Sequence, residues 1–202
     1  MQNSNKMKKL ILGLAMAVAT LAACNSNSNK SSKSQNGSDG SQVNSQTDNA
    51  KTASDATNTF SIKEIVSQYL QIEIGLADDN GKNTANAGKA FIESIDKMDK
   101  TSLTAEKSKI WDDISADAKE MAEHIGENPD KLEHQREHFL MLSNDIYDLV
   151  KAFGSDQVLY KIFDQMSNDG KGAFWLSDTK EIKNPYMGKA MLNSGTIQEE
   201  IK

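Results

Sequence analysis

The sequence predicts a mainly α protein: an antiparallel four-helix up-and-down bundle with a small C-terminal β-hairpin and an irregular tail. Three observations carry this. Apolar residues recur at three- and four-residue steps through four successive segments. The segments are joined by short breaks rich in Gly, Asn, Asp and Pro, which favour antiparallel neighbours. Two β-prone runs then flank the turn sequence Asn168-Asp169-Gly170-Lys171-Gly172.

In the first helix Ile62, Ile65, Tyr69, Ile72 and Leu76 share one face, and Ser61 with Glu64 offers a capping box. Asp78-Asp79-Asn80-Gly81 breaks it. The second helix runs to about Met98, with Phe91, Ile95 and Met98 inward and Ala87, Gly88 and Ala90 small enough for close approach. A third helix opens at Thr104, carries Trp111, Ile114, Ala118, Met121 and Ile125 inward, and stops at Gly126-Glu127-Asn128-Pro129. The fourth spans about Asp130 to Phe153. It points Leu132, Phe139, Leu142, Ile146, Leu149 and Phe153 at the core, and Gly154 ends it. Beyond it, Val158 to Phe163 and Ala173 to Leu176 form the hairpin. Asn184-Pro185-Tyr186 is a rigid turn, and Met191 to Ile201 is a short strand or a last helical turn.

The bundle domain occupies residues 59–202. Residues 1–23 read as a lipoprotein signal peptide. Lys8-Lys9 precede an apolar run from Leu10 to Ala22 that is short for a membrane span, and Leu21-Ala22-Ala23-Cys24 has the form of a lipobox. Cys24, the single cysteine, is the expected lipidation site. Two or three acyl chains on it, at about 0.8 kcal/mol per buried CH₂, would anchor the protein firmly. Residues 24–58 are Ser, Asn, Gln, Gly and Thr with few apolar groups, too polar to offset the entropy of ordering. This tether has a mean reach of about 30 Å. The expected location is the cell envelope, on the outer membrane facing the periplasm.

Removing residues 1–23, with Lys6, Lys8 and Lys9, takes the net charge from −6 to −9. So acidic a chain is a poor partner for nucleic acid, where binding requires phosphates to be neutralised. With one cysteine there is no internal disulfide and no cysteine left in the folded part to act as ligand or nucleophile. No GxSxG, HExxH or P-loop pattern occurs, so the reading is non-enzymatic. The Asn168–Gly172 segment lacks the spaced ligands of a calcium loop and is read as a turn.

All three histidines lie between positions 124 and 138. On the fourth helix His134, His138, Met141 and Asp145 fall within about 60° of one another, on a stripe beside the apolar seam. Two imidazoles four residues apart can hold one ion, and His124 can reach them across the Gly126–Pro129 turn. Imidazole suits copper, zinc and nickel, and thioether favours Cu(I). Candidate metal ligands are therefore His134, His138, His124, Met141, Met166 and Met191, with copper or zinc as the ion. Against this stands a plain solvated face, which Gln135, Arg136 and Glu137 suggest. Met98 and Met121 lie on apolar seams and are assigned to the core.

Several phrases resemble a family of bacterial periplasmic domains of unknown function. They are Tyr69-Leu70, Gln135-Arg136-Glu137-His138-Phe139 with Leu142-Ser143, Asn168 to Ser177, and Glu181 to Tyr186 followed by Gly188 and Met191-Leu192. Such domains occur as stand-alone lipoproteins and as extensions of the adaptor subunit of copper/silver-type efflux pumps. The resemblance implies an accessory of heavy-metal handling, with an efflux system or another envelope protein as partner. The family typically carries cysteines where this chain has Asp164 and Ser194, a pair implied to act together as thiolate ligands or as a disulfide. Their loss leaves either a His/Met/carboxylate site or a metal-free protein-interaction module.

Overall fold

The computed structural model describes residues 60–202. The signal peptide, Cys24 and the tether lie outside the described residues. Four helices form, α1 (Lys63–Ala77), α2 (Gly81–Asp96), α3 (Ala105–Glu127) and α4 (Leu132–Phe153). Strands β1 (Leu159–Asp164), β2 (Ala173–Ser177) and β3 (Thr196–Ile201) follow, with a single 3-10 turn at Gly188–Ala190. No helix among the described residues is long and apolar enough to cross a membrane.

Each helix packs on the next in sequence, and α4 closes back onto α1. Gln135 near the start of α4 donates to Gly81 O at the start of α2 and to Ile125 O near the end of α3, and Arg136 reaches Leu76 O at the end of α1. The end of α1, the start of α2, the end of α3 and the start of α4 therefore share one end of the bundle. That alternation is the expected antiparallel up-and-down arrangement. The opposite end is closed by Phe60, Trp111 and Phe153, whose rings meet edge-on or tilted.

The inward faces are those the periodicity selects: Ile65, Tyr69, Ile72, Leu76, Phe91, Ala118, Ile125, Phe139, Leu142, Ile146 and Leu149 are all buried. Two starts follow simple capping chemistry. Asn80 Oδ1 accepts from Asn83 N (3.1 Å) and Thr104 Oγ1 from Lys107 N (3.3 Å). The capping box at Ser61 does not form. Ser61 donates to the Asp156 carboxylate at 2.5 Å, and Ile62 is the cap residue with no side-chain bond. A charged acceptor makes the stronger hydrogen bond, so the hydroxyl ties the chain's entry to the loop after α4 instead.

Helices α2 and α3 approach closely at Gly88, where an added Cβ would lie 3.0 Å from Ala122 O and 3.1 Å from Gly126 N. Gly126 belongs to the same contact: its missing side chain makes room for α2, with Lys89 Cγ at 3.2 Å and Ala85 O at 3.5 Å from an added Cβ, and the helix ends one residue later, at Glu127, within the expected Gly126–Pro129 stop.

The hairpin is present, β1 pairing with β2 in antiparallel register, Tyr160 opposite Ser177 and Phe163 opposite Phe174. The turn between them places Asn168, Asp169 and Gly170 all at positive φ. The tail is more regular than expected. β3 pairs with the other edge of β1, giving a three-stranded antiparallel sheet in the order β2-β1-β3. Only Ile197 and Ile201 are apolar in β3, so alternation is weak; the unpaired edge of β1 supplies the partner. Glu199 holds the strand to α4 through Tyr147 OH and Lys151 Nζ, both at 2.9 Å.

Candidate metal centre

His124 stands in the last turn of α3, where Asn128 Nδ2 caps its carbonyl at 2.8 Å. A turn of four residues follows, and α4 begins at Leu132, so His134 and His138 stand on its first two turns beside the end of α3. The three histidines converge. One ring nitrogen from each lies within 4.8 Å of the others. His124 and His138 stack at 4.2 Å between centroids and 5° from parallel, while His134 meets His138 at 4.5 Å and 76°. All three are half-buried. Nitrogens sharing one ion sit about 3.4 Å apart, so side-chain rotations of roughly 1 Å would close the set around a single metal.

A fourth group completes the cluster. Met121 Sδ lies 3.4 Å from His138 Nδ1. Met121 packs against the core as its place on the apolar seam requires, yet its sulfur reaches His138. The core assignment holds, and the contact with His138 comes in addition to it. The available signal was its spacing of three residues from His124, which puts both on the α3 edge that faces α4.

Burial, and then the charge of His124 and His134 when protonated, hold the His138 pKa below the ordinary 6.5, against the pull of Glu137 and Glu120. His134 Nδ1 also lies 3.5 Å from Glu137 Oε2.

The neighbours that suggested a solvated face do not form one. Gln135 is fully buried, and its two donated bonds join the starts of α2 and α4 to the end of α3. Arg136 is 11% exposed and donates to Asp79 Oδ1 (2.6 Å), Leu76 O (3.2 Å), Pro185 O (2.9 Å) and Glu133 Oε1 (3.1 Å). Both residues fix the first turn of α4, and with it the position of His134. Only Glu137 is exposed.

The remaining methionines stand elsewhere. Met141 lies on the histidine stripe a turn beyond His138 and is exposed. Met166, 61% exposed, lines a groove of about 370 Å³ with Glu133, Arg136, Glu137, Leu140 and Met187. Those α4 residues lie roughly 130° round the helix from the histidines. Met191 is exposed in the tail loop, two residues after Lys189, whose N–H binds Asp79 on the Arg136 side. The fold does not bring Met166 and Met191 over the histidines.

Residues 65–158 match the family described as "Protein of unknown function (DUF3347)". No curated protein and no solved structure matches the chain. The matched segment runs from within α1 through α4 and so contains His124, His134, His138 and Met121; the sheet and the Asn184-Pro185-Tyr186 turn lie beyond it.

Several residues of the phrases quoted above for the resemblance are structural nodes. Tyr69 OH sits 2.9 Å from Ser143 Oγ and accepts from Leu176 N, joining α1, α4 and β2. Tyr186 OH donates to Phe174 O at 2.7 Å. Asp164 and Ser194, the two positions where the resemblance implies cysteines, meet at one atom. Asn184 Nδ2 donates to Asp164 Oδ2 (3.0 Å) and to Ser194 Oγ (2.8 Å). A hydrogen-bonded bridge through Asn184 thus joins Asp164 and Ser194.

Proposed function

We propose that this chain is a non-enzymatic transition-metal-binding module of the cell envelope, held to the membrane through lipid on Cys24. The observation that carries the reading is the convergence of His124, His134 and His138 from two helices, one ring nitrogen each within 4.8 Å. Neutral imidazoles at that spacing make a nitrogen-rich site suited to copper, zinc or nickel. Half-burial favours retention of the ion, and the hydrogen bonds of Gln135 and Arg136 hold the backbone that presents it. The Leu21-Ala22-Ala23-Cys24 sequence and the polar segment after it support a tethered lipoprotein, and the resemblance to efflux-associated periplasmic domains supports a role in metal handling or efflux.

The second reading is a metal-free interaction module. The groove beside Met166 and Met187, open on the far flank of α4, favours it. Calorimetric titration of Zn(II), Cu(II) and Cu(I) into the full chain in detergent separates the two. Submicromolar binding, lost in His134→Ala/His138→Ala, is the expected result. Affinity weaker than about 100 µM for every ion would leave the interaction module.

A further inference from the structure

We infer that Met121 supplies a thioether ligand to the three-histidine site and makes it a Cu(I) site. The inference rests on the metal reading above and specifies its ion. One distance has the size that a shared coordination shell requires. With bonds of about 2.0 Å to nitrogen and about 2.3 Å to sulfur, two ligands of a tetrahedral ion lie about 3.5 Å apart. His138 Nδ1 and Met121 Sδ are 3.4 Å apart. Three imidazoles and one thioether make a neutral four-ligand set with no carboxylate in the first shell. Soft sulfur selects Cu(I), whereas Zn(II) gains little from a thioether and fills its fourth position with water. Charge argues the same way. Half-buried neutral ligands leave a single positive charge with Cu(I) and a double one with Zn(II), and burying the latter costs more.

The position of Met121 explains how the ligand is held. Its neighbours Ala118, Ala122 and Ile125 are buried in the bundle, and Met121 packs half-buried against that core with its sulfur 3.4 Å from His138 Nδ1. A methionine so placed is pre-oriented, unlike the exposed Met141, Met166 and Met191.

The test compares the full chain with Met121→Leu, a near-isosteric change. Cu(I) affinity is measured anaerobically against a chromogenic Cu(I) chelator, Zn(II) affinity by calorimetry, and the copper shell by X-ray absorption. The expected result is Cu(I) binding weakened at least tenfold with Zn(II) binding changed less than twofold. A sulfur neighbour at about 2.3 Å should appear in the wild type and be gone in the variant. Equal weakening of both ions, no change in either, or an all-nitrogen copper shell in the wild type would overturn the inference. Met121 would then only accept a hydrogen bond from His138, and the histidine site would stand without it. If the variant fails to hold Zn(II), the wild-type absorption spectrum decides alone. A wild type that binds neither ion overturns the metal reading itself.

Discussion

The imidazole of His124 lies 4.2 Å from that of His138 and within 5° of parallel, although one stands in the last turn of α3 and the other in the second turn of α4. Neutral rings stack at this distance, and two imidazoliums repel by about 1–4 kcal/mol between bulk-water and near-surface screening. An ion bound between the helices would therefore compete directly with protons. Zn(II) affinity is expected to fall roughly tenfold or more per pH unit below about pH 6. Titrations at pH 7.5, 6.5 and 5.5 measure it, and a flat profile would place the bound ion away from these rings.

The same stack sets a stability trend for the metal-free protein. The folded-state pKa of His138 is depressed, so the neutral ring's contribution is complete above about 6.5 and is lost as pH falls through the lower folded value. His138→Phe keeps a ring in place without a proton to bind. The difference in urea stability between wild type and variant should shrink toward neutral pH and widen toward pH 5 against the wild type.

Glu73 should tilt stability the other way. It is 4% exposed, and burial, reinforced by Asp178, pushes its carboxyl up to about 8. A raised folded pKa means the contribution is complete below about 4.5 and is lost as pH rises through about 8. Glu73→Gln should match the wild type near pH 5 and exceed it at pH 8.5, by of order 2–4 kcal/mol. Chemical denaturation at the two pH values reads this directly. Equal stability at both would show that Glu73 ionises freely in the fold.

Gly88 is where α2 and α3 touch. Alanine is the better helix former by about 1 kcal/mol, but its Cβ would meet Ala122 O at 3.0 Å and Gly126 N at 3.1 Å, both backbone atoms. The clash should prevail, for a net loss of about 1–2 kcal/mol. Because the displaced segment carries His124, metal affinity should fall as well. A Gly88→Ala protein of unchanged melting temperature would show that the helices have slack at this point.

Arg136→Met tests the clamp at the same end. It removes donors to Asp79, Leu76 O, Pro185 O and Glu133 while keeping the aliphatic stem. A cost of about 2–3 kcal/mol is expected. Hydrogen exchange should rise first at Asn184 and Gly188, whose amides are held in the tail segment docked there.

The helices were legible because each had to bury one stripe, and the spacing of Ile65, Tyr69, Ile72 and Leu76 or of Phe139, Leu142, Ile146 and Leu149 records that demand locally. The breaks at Asp78–Gly81 and Gly126–Pro129 were legible as turn chemistry, but the contact that Gly126 makes with α2 was not, because it lies between elements. β3 was ambiguous, since its pairing depends on an edge of β1 more than 30 residues earlier in the chain. Gln135 and Arg136 read as solvent-facing by residue type, and their burial could be known only from the groups they bond.

By itself the sequence determined four amphipathic helices, a hairpin, and three histidines spaced so that two helices can present them at one turn. Local periodicity and spacing are enough for that, because a helix fixes its own faces. Only the tertiary structure decided which side chains meet: the stack of His124 on His138, the sulfur of Met121 beside it, and the removal of Met166 and Met191 to another flank. These are contacts between elements, set by how closely α2 allows α3 to approach and by how Gln135 and Arg136 seat α4. No one-dimensional pattern encodes those distances.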